Sequence, residues 1–391
     1  MLRASFVHAH AAAPDWQDAL ADCVGQLRTR IAAQHAAADA FTLGWCYLSD
    51  YFAPAAEAIL EALQQQLPGI AWVGTAGVGV LASGVEYIDE PALVLMAAPL
   101  PAESFRLFSG RQPLATVSSD FVAHTALVHG EGSTPDIQDL LHELSGRTTT
   151  GYLFGGLSSA RNRSLHLADG VFTGGLSGVL FDSSVHLISR VTQGCQPIGP
   201  QRAVTGSEGN YVITLDGRPA LDCVLQDLGI DDELLAEELA DALSATLVGI
   251  SSGNEDVPLH AGKFGADTLV RHLVGVDLEN RVLAVGDEVE AGSQLAFCKR
   301  HPEAARRDLQ RIATEIRDEL ENGASGELAG ALYVSCSGRG GPHFGARHAE
   351  LRVVRDVLGD VPLVGFFAGG EIARDHLYGY TGVLTVFTTG T

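Results

Sequence analysis

A cysteine, an arginine, a histidine and a glutamate stand beside glycine-rich segments near the end of the chain. Cys336, Arg339 and His343 fall within SCSGRGGPHFG, and Glu371 directly follows a Gly-Gly pair. A cysteine is a nucleophile once a nearby cation stabilises its thiolate. A guanidinium can hold a carboxylate through two parallel hydrogen bonds, and a glutamate can receive an ammonium or act as a base. These residue types therefore predict a site for a small polar molecule.

Two strands and the helix between them should position these residues. The sequence predicts a buried strand over 331–335, a helix over 346–358 with Glu350 on its polar face, and a second strand over 362–367. The carboxyl ends of neighbouring parallel strands share the sheet edge at which α/β folds bind ligands. We therefore expect Cys336, Arg339 and Glu371 to lie together.

Glycines and aromatic residues complete the predicted site. The glycines allow a ligand to approach the backbone closely, and the aromatic rings offer an apolar wall. We favour Tyr380 over Phe367 as a contact because its phenol needs a polar partner. The full set of predicted ligand-binding residues is Cys336, Arg339, Gly340, Phe366, Gly370, Glu371 and Tyr380.

Each of these residues also has a purely structural explanation. Cys336 could be an inert buried thiol, Arg339 a surface ion pair, Glu371 a capping residue, and the aromatic residues ordinary core. The alternative function is a cysteine-dependent enzyme, with Cys336 as nucleophile, His343 as base and Glu371 as orienting group or acid. Spacing alone fixes no second catalytic group, so we expect a binding protein rather than an enzyme.

Composition narrows the class of protein. The formal net charge is −23, from 25 basic and 48 acidic residues, which argues against nucleic acid or an anionic membrane as partner. The six cysteines form no CxxC pair, and no histidine spacing matches a metal site, so we expect no metal and no cofactor. We predict a cytoplasmic protein without membrane insertion, in which His8 and His10 belong to a mobile terminus.

The order of elements repeats along the chain. A helix, strand, helix and strand are followed by a glycine loop over 74–79, the same order returns over 303–371, and a weaker copy lies over 125–159. The alternative is coincidence, since every α/β protein alternates such elements. The phrases LPGIAWVGTAGVG and LGDVPLVGFFAGG favour duplication. The first copy is predicted as helix 15–37, strand 41–48, helix 54–66 and strand 70–73.

The predicted fold class is α/β in a mixed α+β form, with two domains covering 1–193 and 194–391. Both are built from repeated helix-strand-helix-strand-glycine-loop units with added antiparallel strands. The added strands are expected over 170–191 and as hairpins over 268–298. Acidic residues over 231–241 indicate the solvated face of a helix.

A series of motifs resembles the FIST family (F-box and intracellular signal transduction proteins). The C-terminal motifs are GCQPIGP, EGNYVITLDGRPALD, GDEVEAG, CKRHPEAARRDL, LYVSCSGRG, PLVGFFAGGEI and LYGYTGVLTVF, and WVGTAGVG, FGGLSS and DGVFTGGLSGVLF are similar to the family's N-terminal domain. The resemblance implies a sensory protein that binds a small ligand, with amino acids the usual proposal. It also implies an output domain. None is recognisable in this sequence, so we expect signalling to a partner protein in trans.

Overall fold

The structure is a computed structural model that describes residues 5–34, 38–110, 121–230, 236–251, 268–323 and 326–389. The chain forms two compact units, one made of Met1–Thr192 with Arg306–Thr391 and the other of Gln193–Ala305. This division differs from a split at residue 193, because the C-terminal segment packs with the N-terminal one. No helix within these described ranges is long and apolar enough to span a membrane.

The fold is mixed α+β, as predicted. The helices are α1 (Trp16–Ala33), α2 (Ala56–Gln66), α3 (Ile137–Ser145), α4 (Ala220–Leu228), α5 (Ala236–Ser244), α6 (Pro302–Glu321) and α7 (Ala349–Leu358). The strands are β1 (Val7–Ala12), β2 (Leu43–Ser49), β3 (Ala71–Gly77), β4 (Gly79–Ala82), β5 (Val85–Ile88), β6 (Ala92–Ala98), β7 (Phe105–Phe108), β8 (Thr125–Glu131), β9 (Tyr152–Ser158), β10 (His166–Ala168), β11 (Val171–Phe172), β12 (Leu176–Phe181), β13 (Leu187–Gln193), β14 (Cys195–Pro197), β15 (Arg202–Glu208), β16 (Tyr211–Leu215), β17 (Arg218–Pro219), β18 (Leu247–Ser251), β19 (Leu269–Asp277), β20 (Val282–Val285), β21 (Gln294–Arg300), β22 (Leu328–Cys336), β23 (Leu363–Ala368), β24 (Glu371–Arg374), β25 (His376–Tyr378) and β26 (Thr381–Thr388).

Three equivalent sheets make up the first unit. Each is built on a parallel strand pair joined by a helix: β2 and β3 through α2, β8 and β9 through α3, and β22 and β23 through α7. A crossover helix is the usual connection between parallel neighbours. The three sheets have the orders β1-β6-β2-β3-β10-β11, β7-β12-β8-β9-β24-β25 and β13-β26-β22-β23-β4-β5. The three predicted copies are therefore three repeats of one architecture.

The repeats exchange hairpins. After β3 the chain forms the hairpin β4-β5, which pairs with β23 of the third repeat. After β23 it forms β24-β25, which pairs with β9, and after β9 it forms β10-β11, which pairs with β3. Each sheet thus ends in a hairpin from another repeat, and the exchanges close a three-membered cycle.

Glycines of the second parallel strands lie inside those strands rather than in loops, which corrects the glycine loop predicted over 74–79. A Cβ on Gly74 would lie 1.8 Å from the Cys46 carbonyl oxygen, and one on Gly155 would lie 2.0 Å from that of Val128. Gly365, the equivalent residue of β23, would meet the Tyr333 carbonyl oxygen at 1.7 Å. Close backbone approach, not turning, requires glycine here.

His8 and His10 do not lie in a mobile terminus. Both belong to β1, where they pair with Met96 and Val94 of β6, and His10 Nδ1 lies 2.5 Å from Tyr87 Oη. Every second residue of β1 is buried, which explains why this segment forms the edge strand of the first sheet.

The second unit has one sheet of its own, in the order β14-β21-β15-β16-β20-β19-β18, closed by pairing between β18 and β21. The hairpins predicted over 268–298 are strands β19, β20 and β21. Helix α5 places Leu243 in the apolar core of this unit. The remainder of the acidic prediction, residues 231–235, lies outside the described ranges.

Candidate functional site

Polar side chains replace apolar ones between the sheet and helix of the third repeat. In the first repeat, Cys46 and Leu48 of β2 belong to the core cluster beneath its helices. Cys46 pairs with Gly74 of β3 as Tyr333 pairs with Gly365 of β23. Tyr333 and Ser335 therefore hold in β22 the positions that Cys46 and Leu48 hold in β2. Both are fully buried. The first repeat folds with apolar residues at these two positions, so the buried polar pair marks the third repeat as the candidate site.

The carboxylate of Glu350 is the common hydrogen-bond acceptor of these polar groups. Its Oε1 accepts hydrogen bonds from Tyr333 Oη at 2.6 Å, Ser335 Oγ at 2.9 Å and Arg339 Nε at 3.1 Å. Glu350 is wholly buried, which corrects its expected place on the polar face of the helix. It lies in the first turn of α7, where the loop after β22 covers it. Its second oxygen, Oε2, has no hydrogen-bond partner among the described residues.

Arg339 is a buried cation. Its side chain is 1% exposed, its Nη1 donates to the Tyr380 carbonyl oxygen at 3.4 Å, and its guanidinium carbon lies 5.4 Å from the ring centre of Phe344. Within the described part of the chain, its Nη2 has no hydrogen-bond partner. Arg339 is therefore not the surface ion pair of the structural alternative, and its guanidinium retains a donor for a ligand.

Glu371 provides a hydrogen-bond acceptor where Arg339 provides a donor. Its Oε2 accepts from Thr381 N at 3.1 Å and Thr381 Oγ1 at 2.8 Å, while its Oε1 has no partner in the ranges that the structure describes. Complete burial raises the pKa of Glu371 to about 8, although Thr381, Arg339 and the Cys336 thiol act in the opposite direction. At neutral pH this carboxyl group is mainly protonated in the protein alone.

The titration of Glu371 predicts a contribution to stability that is lost as the pH rises through about 8. The folded state holds the Glu371 proton up to about pH 8, whereas the unfolded group loses it near 4.5. Between pH 6.5 and 8 this contribution should fall by about 1.4 kcal/mol per pH unit at most. His8, His10, His129 and His166 act in the opposite direction at the lower end of this range, because their pKa values are lowered in the folded protein while the unfolded side chains titrate near 6.5.

Urea unfolding at several pH values, followed by tryptophan fluorescence, measures this slope. All three tryptophans lie in the first unit, at Trp16, Trp45 and Trp72. Glu371→Gln removes this contribution, so the difference in stability between the wild type and Glu371→Gln should fall as the pH rises. A difference that does not change with pH would mean that Glu371 is ionised throughout.

Cys336 is the only one of the six cysteines, all of them within the described ranges, that is not buried. Desolvation of its surroundings and the neighbouring Glu371 carboxyl nevertheless raise the pKa of the thiol to about 12. Of the arginines near Cys336 in the sequence, Arg339 is paired with Glu350, and Arg347 forms an ion pair with Glu90 at 2.7 Å. A protonated thiol is a poor nucleophile, so nothing in this described geometry favours the enzymatic alternative, which stays a hypothesis.

The predicted site residues divide into two groups. Cys336, Arg339 and Glu371 come together, with the Tyr380 backbone beside them, as the sheet-edge argument predicts. The other three lie apart. A Cβ on Gly340 would meet the Phe367 ring at 2.7 Å, the Gly370 carbonyl accepts from Leu157 N, and Phe366 packs on the opposite face of β23 with Tyr47 and His129, at ring-centre distances of 5.1 and 5.9 Å.

Sequence reasoning missed the acids that face the cluster from other elements. The helical spacing of the sequence places Glu350 on the exposed face of its helix. Glu86 precedes Cys336 by more than 240 residues and lies in the exchanged hairpin β4-β5. One signal was available for Glu86. The hairpins read VLASGVEY, HLADGVF and EIARDHLY, and in the register of the structure Glu86 takes the position held by Val171 and Leu377 in the other two.

Comparison with known proteins assigns the chain to a family. The FIST N domain profile matches residues 42–218, and the FIST C domain profile matches residues 220–374. An uncharacterized protein of Mycobacterium tuberculosis is 32% identical over 348 residues, covering 84% of this chain and 86% of the relative. Another, from Mycobacterium bovis, is 30% identical over 389 residues, covering 96% of each chain.

A solved structure of cyanuric acid hydrolase aligns over 98% of this chain and 99% of its own, with 12% identity and a TM-score of 0.28, which is too low to support an argument about fold or function. The sequence relationships and the two successive domain profiles agree with the resemblance noted in the motifs. The chain belongs to the FIST family.

Proposed function

We propose that this FIST protein is a sensory protein that binds a small zwitterionic metabolite, of the amino-acid type, between Arg339 and Glu371. The observation that carries the proposal is a pair of atoms in one buried cluster that no described residue satisfies, the donor Arg339 Nη2 and the acceptor Glu371 Oε1. An unsatisfied buried polar atom costs about 1–3 kcal/mol, so a ligand that pairs with both gains affinity.

The chemistry of the two groups defines the ligand. The guanidinium of Arg339 donates to a ligand carboxylate, and Glu371 accepts from a ligand ammonium. A cation beside Glu371 lowers the pKa of that carboxyl group, so binding drives its proton into solvent. Because the pKa of Glu371 is raised to about 8 in the protein alone, ligand binding at neutral pH releases close to one proton.

The loop after β22 is the proposed entrance. Ser337 is exposed and Gly338 and Gly340 are half-buried, whereas Arg339 between them points inward and is buried. Glycines allow this loop to move without steric cost. The family relationship supports a signalling output, and we assign that output to a partner protein in trans.

A thermal-shift screen tests the proposal. We expect at least one of the common amino acids to stabilise the wild-type protein, by about 2.7 kcal/mol at a concentration of 100 times its dissociation constant. The analogue lacking the ammonium and the analogue lacking the carboxylate should each stabilise less, because each leaves one buried group unpaired.

Two variants locate the effect in the cluster. Arg339→Lys keeps a cation beside Glu350 but removes the planar fork, and Glu371→Gln keeps an acceptor for Thr381 but removes the charge. Both should abolish the ligand-induced shift. Arg163→Lys is the matched control, since Arg163 pairs with the exposed Glu57 outside this cluster. Absence of any stabilising amino acid, or a shift that survives in both cluster variants, would refute the proposal.

A further inference from the structure

A separate cavity of about 390 Å³ opens beside the exchanged hairpin β4-β5. This volume lies within the usual range for small-molecule pockets. Neither Arg339 nor Glu371 contributes to its wall. The cavity is lined by Glu86, Ile88, Asp89, Glu90, Gly341, Arg347 and His348.

The carboxylate of Glu86 is buried in this wall and incompletely paired. Glu86 is 2% exposed, and its Oε1 accepts the amide hydrogens of Glu350 at 2.9 Å and Leu351 at 3.1 Å, at the start of α7. Its Oε2 has no hydrogen-bond partner in the described structure. One oxygen therefore serves the helix, and the other is a buried acceptor beside the backbone amide of Gly341, which also favours the ionised carboxylate.

The repeats indicate that the fold itself does not require a carboxylate here. The positions equivalent to Glu86 are Val171 and Leu377, and both pack against the apolar cores of the repeats that their hairpins join. Burying an incompletely paired carboxylate where two sister hairpins place aliphatic side chains is unfavourable. The two helix amides account for Oε1 only, and a ligand would account for Oε2.

The remainder of the lining favours a positive ligand. Asp89 and Glu90 add two carboxylates, paired at the rim with Arg161 and Arg347 at 2.6 and 2.7 Å. His348 Nδ1 accepts the amide hydrogen of Glu86 at 2.9 Å, so the neutral ring carries its proton on Nε2. The wall itself contains three carboxylates and one guanidinium.

We propose that this cavity binds a small organic cation whose ammonium group donates to Glu86 Oε2. A metal ion is the less suitable occupant, because the described part of the chain contains no group of three or more histidine, cysteine, aspartate or glutamate side chains placed to hold one. The cavity is also larger than a single ion needs. The ligand class is an aliphatic amine or diamine.

Isothermal titration with putrescine tests this proposal, with butanediol as the neutral analogue of equal length. We expect putrescine to bind with one site per chain and butanediol not to bind. Glu86→Gln keeps an oxygen for the two helix amides but removes the charge, and it should weaken putrescine binding at least tenfold, or about 1.4 kcal/mol.

Glu57→Gln is the matched control. It removes the same charge from the protein at an exposed side chain that pairs with Arg163 outside the cavity, and it should leave the affinity unchanged. If Glu86→Gln does not fold, Asp89→Asn at the rim replaces it and should weaken binding several-fold. Equal binding of putrescine and butanediol, or equal effects of the cavity variant and Glu57→Gln, would overturn the proposal.

Discussion

Gly365→Ala should strongly lower the free energy of unfolding of the first unit. The added Cβ would lie 1.7 Å from the carbonyl oxygen of Tyr333 and 2.7 Å from its carbonyl carbon, both backbone atoms of the parallel partner strand. No side-chain rotation relieves such a contact, so β22 and β23 must separate. We expect a loss of at least about 4 kcal/mol, at the extreme of single-residue effects.

Urea unfolding measured by tryptophan fluorescence checks this loss, with Gly25→Ala as the control. Gly25 lies inside α1, and a Cβ added there would meet no described atom within 4 Å. The same substitution should there stabilise the protein by about 0.5–1 kcal/mol, because alanine is the better helix former. A Gly365→Ala protein with a wild-type midpoint would contradict the close strand approach.

Glu350→Ala should lower the free energy of unfolding by about 3–5 kcal/mol. The change leaves the guanidinium of Arg339 buried without its counter-ion, and it removes the acceptor of Tyr333 Oη and Ser335 Oγ. Equilibrium unfolding in urea measures the loss. Glu57→Ala, which removes an exposed glutamate paired with Arg163, should cost at most about 1 kcal/mol.

A double variant tests whether the charges of this ion pair are needed for stability. Replacing Arg339 by methionine and Glu350 by leucine removes both charges at once, and such replacements of buried ion pairs are often neutral or stabilising. We expect Arg339→Met with Glu350→Leu to recover part of the stability lost in Glu350→Ala, because no charge is left unpaired while Tyr333 Oη and Ser335 Oγ still lack their acceptor. A double variant as unstable as the single one would instead mean that the ion pair is needed for folding.

The convergence of Cys336, Arg339 and Glu371 could be predicted because it follows from local rules. Each residue comes within about four residues of the end of an apolar segment, and the connecting helix is visible in the spacing of Leu351 and Val354. Parallel strands joined by a helix end at the same sheet edge. Local pattern and topology therefore agree, and the side chains of three of the seven predicted residues meet in one cluster.

The acids around this cluster could not be predicted in the same way. Glu86, which accepts the amide hydrogens of Glu350 and Leu351, reaches the third repeat through a hairpin exchange that pairs β4 with β23. No local pattern encodes pairing between segments so far apart in sequence. Phe366 was misplaced for a different reason. Adjacent residues of a strand point to opposite faces, so Phe366 faces Tyr47 and His129 while Phe367 approaches the loop at Gly340.

Native mass spectrometry tests the central claim most directly. The protein is incubated with a small-metabolite extract of its own cells, desalted under native conditions and weighed, and the bound molecule is identified after release. The account predicts one zwitterionic molecule per chain on the wild type and on Arg163→Lys, and none on Glu371→Gln. A wild-type chain that captures nothing, or a Glu371→Gln chain that captures the same molecule equally well, would contradict it.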